Sequence, residues 1–216
     1  MRYTHNLRTV VRSLQLAAIT KLSAIMLTMP CPVAAQMEVP VAPFSSIELH
    51  DGARVILRHG PTQTVTLRKG STDCAQFTMA AGGRLVIDKY NSRCSRKYEL
   101  EIEITTPYVA EILVMDGGSI QADGSFPRQA EIKTAVRNGG VIDIRRIVTD
   151  RVTASVEEGG QILVAPQISL SAGIVNGGQI TYWGDARIES SVRLGGAVTK
   201  GSATEADKPL SELRHP

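Results

Sequence analysis

The sequence predicts an all-β protein: a parallel β-helix-like solenoid with Gly-Gly corners, preceded by an N-terminal β-hairpin region pinned by a disulfide. Three observations predict it. Aromatic residues make up 4% of the 216 residues against 43% hydrophobic, so the core must be built from slim side chains, and Val, Ile and Thr suit pleated, half-buried surfaces. Five Gly-Gly pairs begin at residues 117, 139, 159, 177 and 195, separated by 22, 20, 18 and 18 residues, a spacing typical of stacked repeats. Around every pair the aliphatic residues fall into columns.

Counted from the first glycine, the third residue upstream is Val114, Val136, Val156, Ile174 or Val192, and the third downstream is Ile120, Ile142, Ile162, Ile180 or Val198. Seven upstream stand Ala110, Ile132, Val152, Leu170 and Ile188; six upstream the column turns mostly polar, with Glu111, Lys133, Thr153, Ser171 and Glu189. Side chains alternate faces along a strand, so each unit reads as two inward-facing strands joined at a corner. Stacking the units sets like above like and stabilises them by about 1.5–3 kcal/mol per fully buried Val or Ile. No unit could bury its face alone.

The pairs Gly117-Gly118, Gly139-Gly140, Gly159-Gly160, Gly177-Gly178 and Gly195-Gly196 are read as structural corners. A sharp bend needs positive φ, which glycine reaches without steric cost. Asp116, Asn138 and Asn176 precede three of the pairs, and Asp and Asn tolerate the left-handed region. A phosphate-cradling role fails, because no helical pattern and no Lys-Ser or Lys-Thr follows the glycines.

A fainter sixth copy runs from Ile47 to Leu57 around Asp51-Gly52-Ala53. Between it and Gly117, strands are predicted at 63–68, 84–88 and 98–104, the last alternating cleanly through Leu100, Ile102 and Ile104. Phe77 to Ala81 and Arg84 to Ile87 read as a hairpin around Gly82-Gly83, which carries Cys74 towards residue 91 and puts Cys94 within reach. The hairpin is a candidate cap for the repeat. With Cys31 in a leader, two cysteines remain, and an oxidising compartment would join them as Cys74–Cys94.

The leader is residues 1–35. It carries Arg2, Arg8, Arg12 and Lys21 and no acidic residue, then the apolar run Leu22 to Met29, then Val33-Ala34-Ala35. This is the order of a secretory signal peptide cut between Ala35 and Gln36. Lys21, Pro30 and Pro32 interrupt it too often for a membrane span. Residues 36–42 read as a linker, 43–200 as the repeat domain, clearest over 108–200, and 201–216 as a loose polar tail. The expected location is the periplasm or the extracellular space.

Removing the four leader charges leaves 20 of the 24 basic residues against 21 acidic ones. A near-neutral surface gives no electrostatic reason for nucleic-acid binding or membrane insertion.

By this point the residues carry a resemblance. The run Phe44-Ser45-Ser46-Ile47 through Asp51-Gly52-Ala53, then Ile104-Thr105-Thr106-Pro107, Asp116-Gly117-Gly118-Ser119-Ile120 and Gly173-Ile174-Val175-Asn176-Gly177-Gly178, resembles the putative auto-transporter adhesin head GIN domain family over about residues 43–200. The resemblance implies an exported bacterial β-helix-like domain of unknown function. The roughly 16 residues after the last copy cannot supply even two membrane-spanning strands of about 9–11 residues, so the expectation is a domain that does not translocate itself.

Little in the sequence asks for catalysis. His50, His59 and His215 are scattered, no nucleophile elbow is present, and no Gly-Gly pair continues as a calcium-binding nonapeptide. No cofactor or metal is expected. The alternative to a binding or structural module is a polysaccharide-active β-helix lyase or hydrolase, whose carboxylates would come from Asp143 beside Arg145 and Arg146, Asp150 beside Arg151, Glu157 beside Glu158, or Asp185 near Arg187. The candidate binding surface is Met115, Arg137, Glu157 and Arg193 in the outward row that also holds Val175, beside the mostly small-residue row Leu113, Ala135, Ser155, Gly173 and Ser191. Trp183 is a candidate for stacking on a sugar or for plugging an end. A glycan, an envelope protein or a second copy are the partners such a surface suits.

Overall fold

The computed structural model describes residues 36–89, 94, 98–206, 208, 209 and 212. The expected leader with Ala35, and His215, lie outside the described residues. The strands are β1 (Met37–Glu38), β2 (Ser46–Leu49), β3 (Arg54–His59), β4 (Thr64–Lys69), β5 (Gln76–Ala80), β6 (Arg84–Asp88), β7 (Glu101–Thr106), β8 (Glu111–Met115), β9 (Ser119–Asp123), β10 (Gln129–Arg137), β11 (Val141–Glu157), β12 (Gln161–Ile174), β13 (Gln179–Tyr182), β14 (Arg187–Val192) and β15 (Ala197–Lys200). All fifteen belong to one strongly curled sheet of mixed direction. Among the described residues no helix is long and apolar enough to cross a membrane.

Two parallel ladders account for most of the sheet. The first runs β6-β2-β8-β10-β11-β12-β14 and the second β7-β3-β9-β11-β12-β13-β15. Strands β11 and β12 serve both ladders: Val141–Asp143 pairs with β9 and the stretch to Glu157 with β10. The aliphatic columns are the register. Val114 pairs with Val136, Val136 with Val156, Val156 with Ile174 and Ile174 with Val192. Ile120, Ile142, Ile162, Ile180 and Val198 follow one another the same way. Burial of these residues, apart from Val192 and the partly buried Val198 at the end of the columns, together with Ile132, Ile144, Val152 and Leu170, makes one continuous core, which is the reason the chain returns in parallel.

The corners separate the jobs of the two glycines. At four of the five pairs the residue before them also has positive φ: Asp116 at 59°, Asn138 at 55°, Glu158 at 57° and Leu194 at 44°. Asn176 does not, contrary to expectation, while Glu158 and Leu194 do although neither type favours that region. A Cβ on the first glycine of Gly139-Gly140, Gly159-Gly160, Gly177-Gly178 or Gly195-Gly196 would meet nothing within 4 Å. The second glycine is different. On Gly140, Gly160, Gly178 and Gly196 a Cβ would lie 2.5–2.6 Å from a methyl of the preceding Val or Ile column and 2.9–3.1 Å from the preceding corner's carbonyl. Those carbonyls accept hydrogen bonds from the next pass, as in Gln161 N–H to Gly140 O (2.9 Å) and Gln179 N–H to Gly160 O (2.9 Å).

The N-terminal region is more than a capping hairpin. Hairpin β5–β6 is antiparallel from Gln76–Asp88 to Ala80–Arg84, and Cys74 is bonded to Cys94 with their Cα atoms 5.9 Å apart. Yet β6 also pairs in parallel with β2, and β7 with β3. The pass β6–β7 therefore lies outside the pass β2–β3 although it follows it in the chain, with Leu85 and Ile87 beneath Ile47 and Leu49, and Ile102 beneath Val55. Antiparallel β4 covers β7, and β1 covers β4.

Part of residues 201–216 is described. Ala203–Glu205 forms a single 3-10 turn, and the Glu205 carboxylate accepts hydrogen bonds from the Ser202 N–H (3.0 Å) and hydroxyl (2.7 Å). Those two bonds hold its carboxyl below the ordinary range.

Candidate functional site

Outward side chains in the middle of the second ladder are covered, whereas Thr199 at its C-terminal end is exposed. Four residues past each first glycine stand Gln121, Asp143, Leu163, Thr181 and Thr199, and Asp143, Leu163 and Thr181 are buried. Arg145 does much of the covering. Its guanidinium grips Asp143 in two places, Nε to Oδ1 (2.9 Å) and Nη2 to Oδ2 (2.7 Å), and donates to the carbonyls of Glu205 (2.7 Å) and Lys208 (3.0 Å) in the tail. Both side chains are nearly sealed, at 6% and 5% exposure. Trp183 completes the strap: its Nε1–H donates to Ser202 O (2.9 Å), Arg145 lies 5.0 Å from its ring centroid, and the ring leaves no room for a side chain at Gly201. Trp183 therefore faces the tail rather than solvent. Signals for the strap were present in Asp143-x-Arg145 and the lone tryptophan, but the tail contributes backbone carbonyls, which leave no side-chain pattern.

The N-terminal part of this wall is tied by ion pairs instead. Glu103 accepts from Arg58 Nε (2.9 Å) and Arg68 Nη2 (2.6 Å), and Arg58 also reaches Asp123 (2.7 Å). Burial works to raise the Glu103 carboxyl, but the hydrogen bonds and charges of Arg68 and Arg58 outweigh it and hold it below the ordinary glutamate range.

Among the described residues the outward side chains of the first ladder from β8 to β14 are half-buried or exposed. They form three rows, five strands deep, at the spacing of about 4.8 Å between neighbouring strands. One row is Glu111, Lys133, Thr153, Ser171 and Glu189; the middle row is Leu113, Ala135, Ser155, Gly173 and Ser191. The third brings the predicted residues together: Met115 is in register with Arg137, and Arg137 with Glu157, which it binds through Nε at 2.8 Å. Val175 and Arg193 continue the row through Val175 N–H to Val156 O (3.0 Å) and Arg193 N–H to Ile174 O (2.8 Å). At its N-terminal end the wall becomes charged: Arg84 bridges Glu48 and Glu111 at 2.9 Å each, and His50 sits 2.7 Å from Glu48 and 3.4 Å from Asp88.

Four of the carboxylates considered for catalysis are each bound to a cation: Asp143 to Arg145, Asp150 to Arg128, Glu157 to Arg137 and Asp185 to Lys200. Among the described residues no three His, Cys, Asp or Glu side chains are grouped to hold a metal. A cleft of about 430 Å³ beside the disulfide loop is lined by Asp51, Arg54, Lys69, Tyr98 and Glu99, with Lys69 and Glu99 ion-paired.

No protein-family model and no curated protein matches the chain. Among solved structures it is similar to a putative adhesin from Bacteroides fragilis NCTC 9343, at 15% identity and a TM-score of 0.44 over 77% of this chain and 96% of that one. It is similar also to a putative lipid binding protein from Parabacteroides distasonis ATCC 8503, at 16% identity and a TM-score of 0.31 over 78% and 96%. A third is a putative cell adhesion protein from Clostridium sporogenes ATCC 15579, at 9% identity and a TM-score of 0.33 over 77% and 98%.

Proposed function

We propose that this chain is an exported, non-enzymatic binding module of the envelope or extracellular space, a parallel β-helix-like coil whose working surface is the bare wall of β8, β10, the C-terminal parts of β11 and β12, and β14. One observation carries the reading: on the second wall Asp143, Leu163 and Thr181 are buried and Arg145 ties the tail beside them, whereas among the described residues nothing lies over the first wall's rows of mostly small and polar side chains. A fold that spends a buried Arg145–Asp143 pair on one wall and leaves the other open reserves the open one for a partner. The Cys74–Cys94 bond supports an oxidising compartment, and the GIN-type motif set around Asp116-Gly117-Gly118 supports the same assignment.

Extracellular glycan is the ligand class such a wall suits best. Ala135, Ser155 and Gly173 let a flat chain approach the sheet closely, with Arg137, Glu157, Lys133 and Thr153 on either side to hydrogen-bond hydroxyls. A glycan array probed with the purified protein tests this. Binding should be reproducible and should weaken by about tenfold or more in Ser155→Arg, whose side chain would stand in the middle of the wall. No bound glycan, or binding indifferent to Ser155→Arg, would overturn it.

A further inference from the structure

The interior columns are sealed along the coil and open at one end. Val114, Val136, Val156 and Ile174 are at most 1% exposed, whereas Val192, next in the same column, is 44% exposed. Among the described residues strand β14 pairs only with β12, and β15 only with β13, so both keep a free edge there. Arg193 N–H donates to Ile174 O and Ala197 N–H to Gly178 O. Alternation along each strand then turns the backbone groups of Ile188, Ser190, Val192, Val198 and Lys200 towards the free side. Leu194 adds an independent sign. It stands where the other corners carry Asp116, Asn138, Glu158 and Asn176, yet it is apolar, 82% exposed and left-handed at φ 44°. That conformation costs about 1–2 kcal/mol for a residue with a Cβ.

We infer that this end is a homodimer interface, on which a second copy docks end to end about a twofold axis, pairing the open edges and burying Ile188, Val192, Leu194 and Val198. The occupant follows from what must be satisfied together. Both edges, joined through Leu194-Gly195-Gly196, need partners, and the apolar interior between them needs a cover. An extended peptide satisfies one edge only. The opposite end of this protein offers the two-residue β1 and the hairpin strand β5, which no Gly-Gly corner joins. The same end of another copy presents two edges at the matching separation, and a twofold axis makes the surface its own complement. Strands meant to stay unpaired carry proline, bulges or inward charges. Strand β14 carries none of these, its inward residues being Ile188, Ser190 and Val192, while the charge of Lys200 is met by Asp185 at 2.7 Å.

Sedimentation equilibrium on the purified protein should find a dimer at concentrations of about 100 µM or below, as befits an interface at the small end of the stable range. Ser190→Pro tests the edge: the Ser190 N–H faces the free side, so proline removes no bond to β12, and the circular dichroism should be unchanged while the dimer weakens by about tenfold or more. Leu194→Asn tests the corner: it should weaken the dimer similarly and raise the melting temperature of the monomer, because Asn accepts the left-handed region. A wild-type monomer at about 100 µM, or a dimer that Leu194→Asn leaves unchanged, would overturn the inference.

Discussion

Alanine at Gly160 and alanine at Gly159 separate stacking from mere bending. Both glycines have positive φ, 109° and 84°, so either substitution meets a backbone cost of about 1–2 kcal/mol. Only Gly160 lies against the neighbouring pass. A Cβ there would be 2.5 Å from Val136 Cγ1 and 3.0 Å from Gly140 O, whereas at Gly159 it would meet nothing within 4 Å. Val136 is 1% exposed and its strand is hydrogen-bonded on both sides, so neither the methyl nor the carbonyl can retreat. Overpacking of that kind adds about 1–3 kcal/mol. Gly160→Ala should therefore cost about 2–5 kcal/mol and Gly159→Ala about 1–2 kcal/mol. At about 2–4 °C per kcal/mol for a chain of this size, the melting temperatures should differ by roughly 2–12 °C. Urea unfolding followed by circular dichroism gives the comparison directly. Equal costs within about 0.5 kcal/mol would refute the claim that successive corners pack on one another.

Three further outcomes follow from the strap, the disulfide and the ion pairs. Arg145→Ala should cost about 3–5 kcal/mol because it leaves Asp143 buried and unpaired, should shift Trp183 fluorescence to the red, and should open the tail to proteolysis; the double variant with Asp143→Ala should recover part of the loss. Replacing Cys74 and Cys94 by serine should lower stability by about 2–4 kcal/mol in chemical unfolding, without disturbing the ladders beyond β2 and β3. Glu103 has a folded pKa below its unfolded one, so its stabilisation is complete above the ordinary glutamate value near 4.3 and is lost as the pH falls through the lowered folded value. The urea midpoint should drop as the pH is lowered from about 5 to about 3, and Glu103→Gln should flatten part of that decline.

Why some of this was legible in the sequence and some was not comes down to which interactions leave a pattern. Val136, Val156 and Ile174 stand at a fixed offset from a corner because each must sit over the last, so the column and the contact are one constraint. The Cys74–Cys94 pairing followed from the hairpin between them. The order of passes did not follow: alternation at Leu100, Ile102 and Ile104 announces a strand, but β7 could pair with any neighbour that offers an apolar row, and only the packing chooses β3. The left-handed backbone at Glu158 and Leu194 ran against the preference of both residue types. The strap was hidden because Arg145 reads carbonyl oxygens, which every residue has. At the candidate site Met115, Arg137 and Glu157 share one offset from their glycine corners and so are legible as a row, whereas the burial of Trp183 depends on the hidden strap.

The bare wall and the open end are linked by geometry, and the link can be tested apart from either. A twofold dimer at β14 and β15 would carry two copies of the wall on one rigid body, and two sites held at fixed separation bind a surface displaying many ligands more tightly than one site does, by factors of about 10²–10⁴. Ser190→Pro leaves every wall residue in place, so its affinity for a soluble monovalent glycan fragment should match the wild type, while its retention on a densely glycan-coated surface should fall. Ser155→Arg should weaken both. If Ser190→Pro instead lost soluble-fragment binding while keeping its fold, the wall and the end would be one site, and the separation of roles drawn from the strap and the open edges would be wrong.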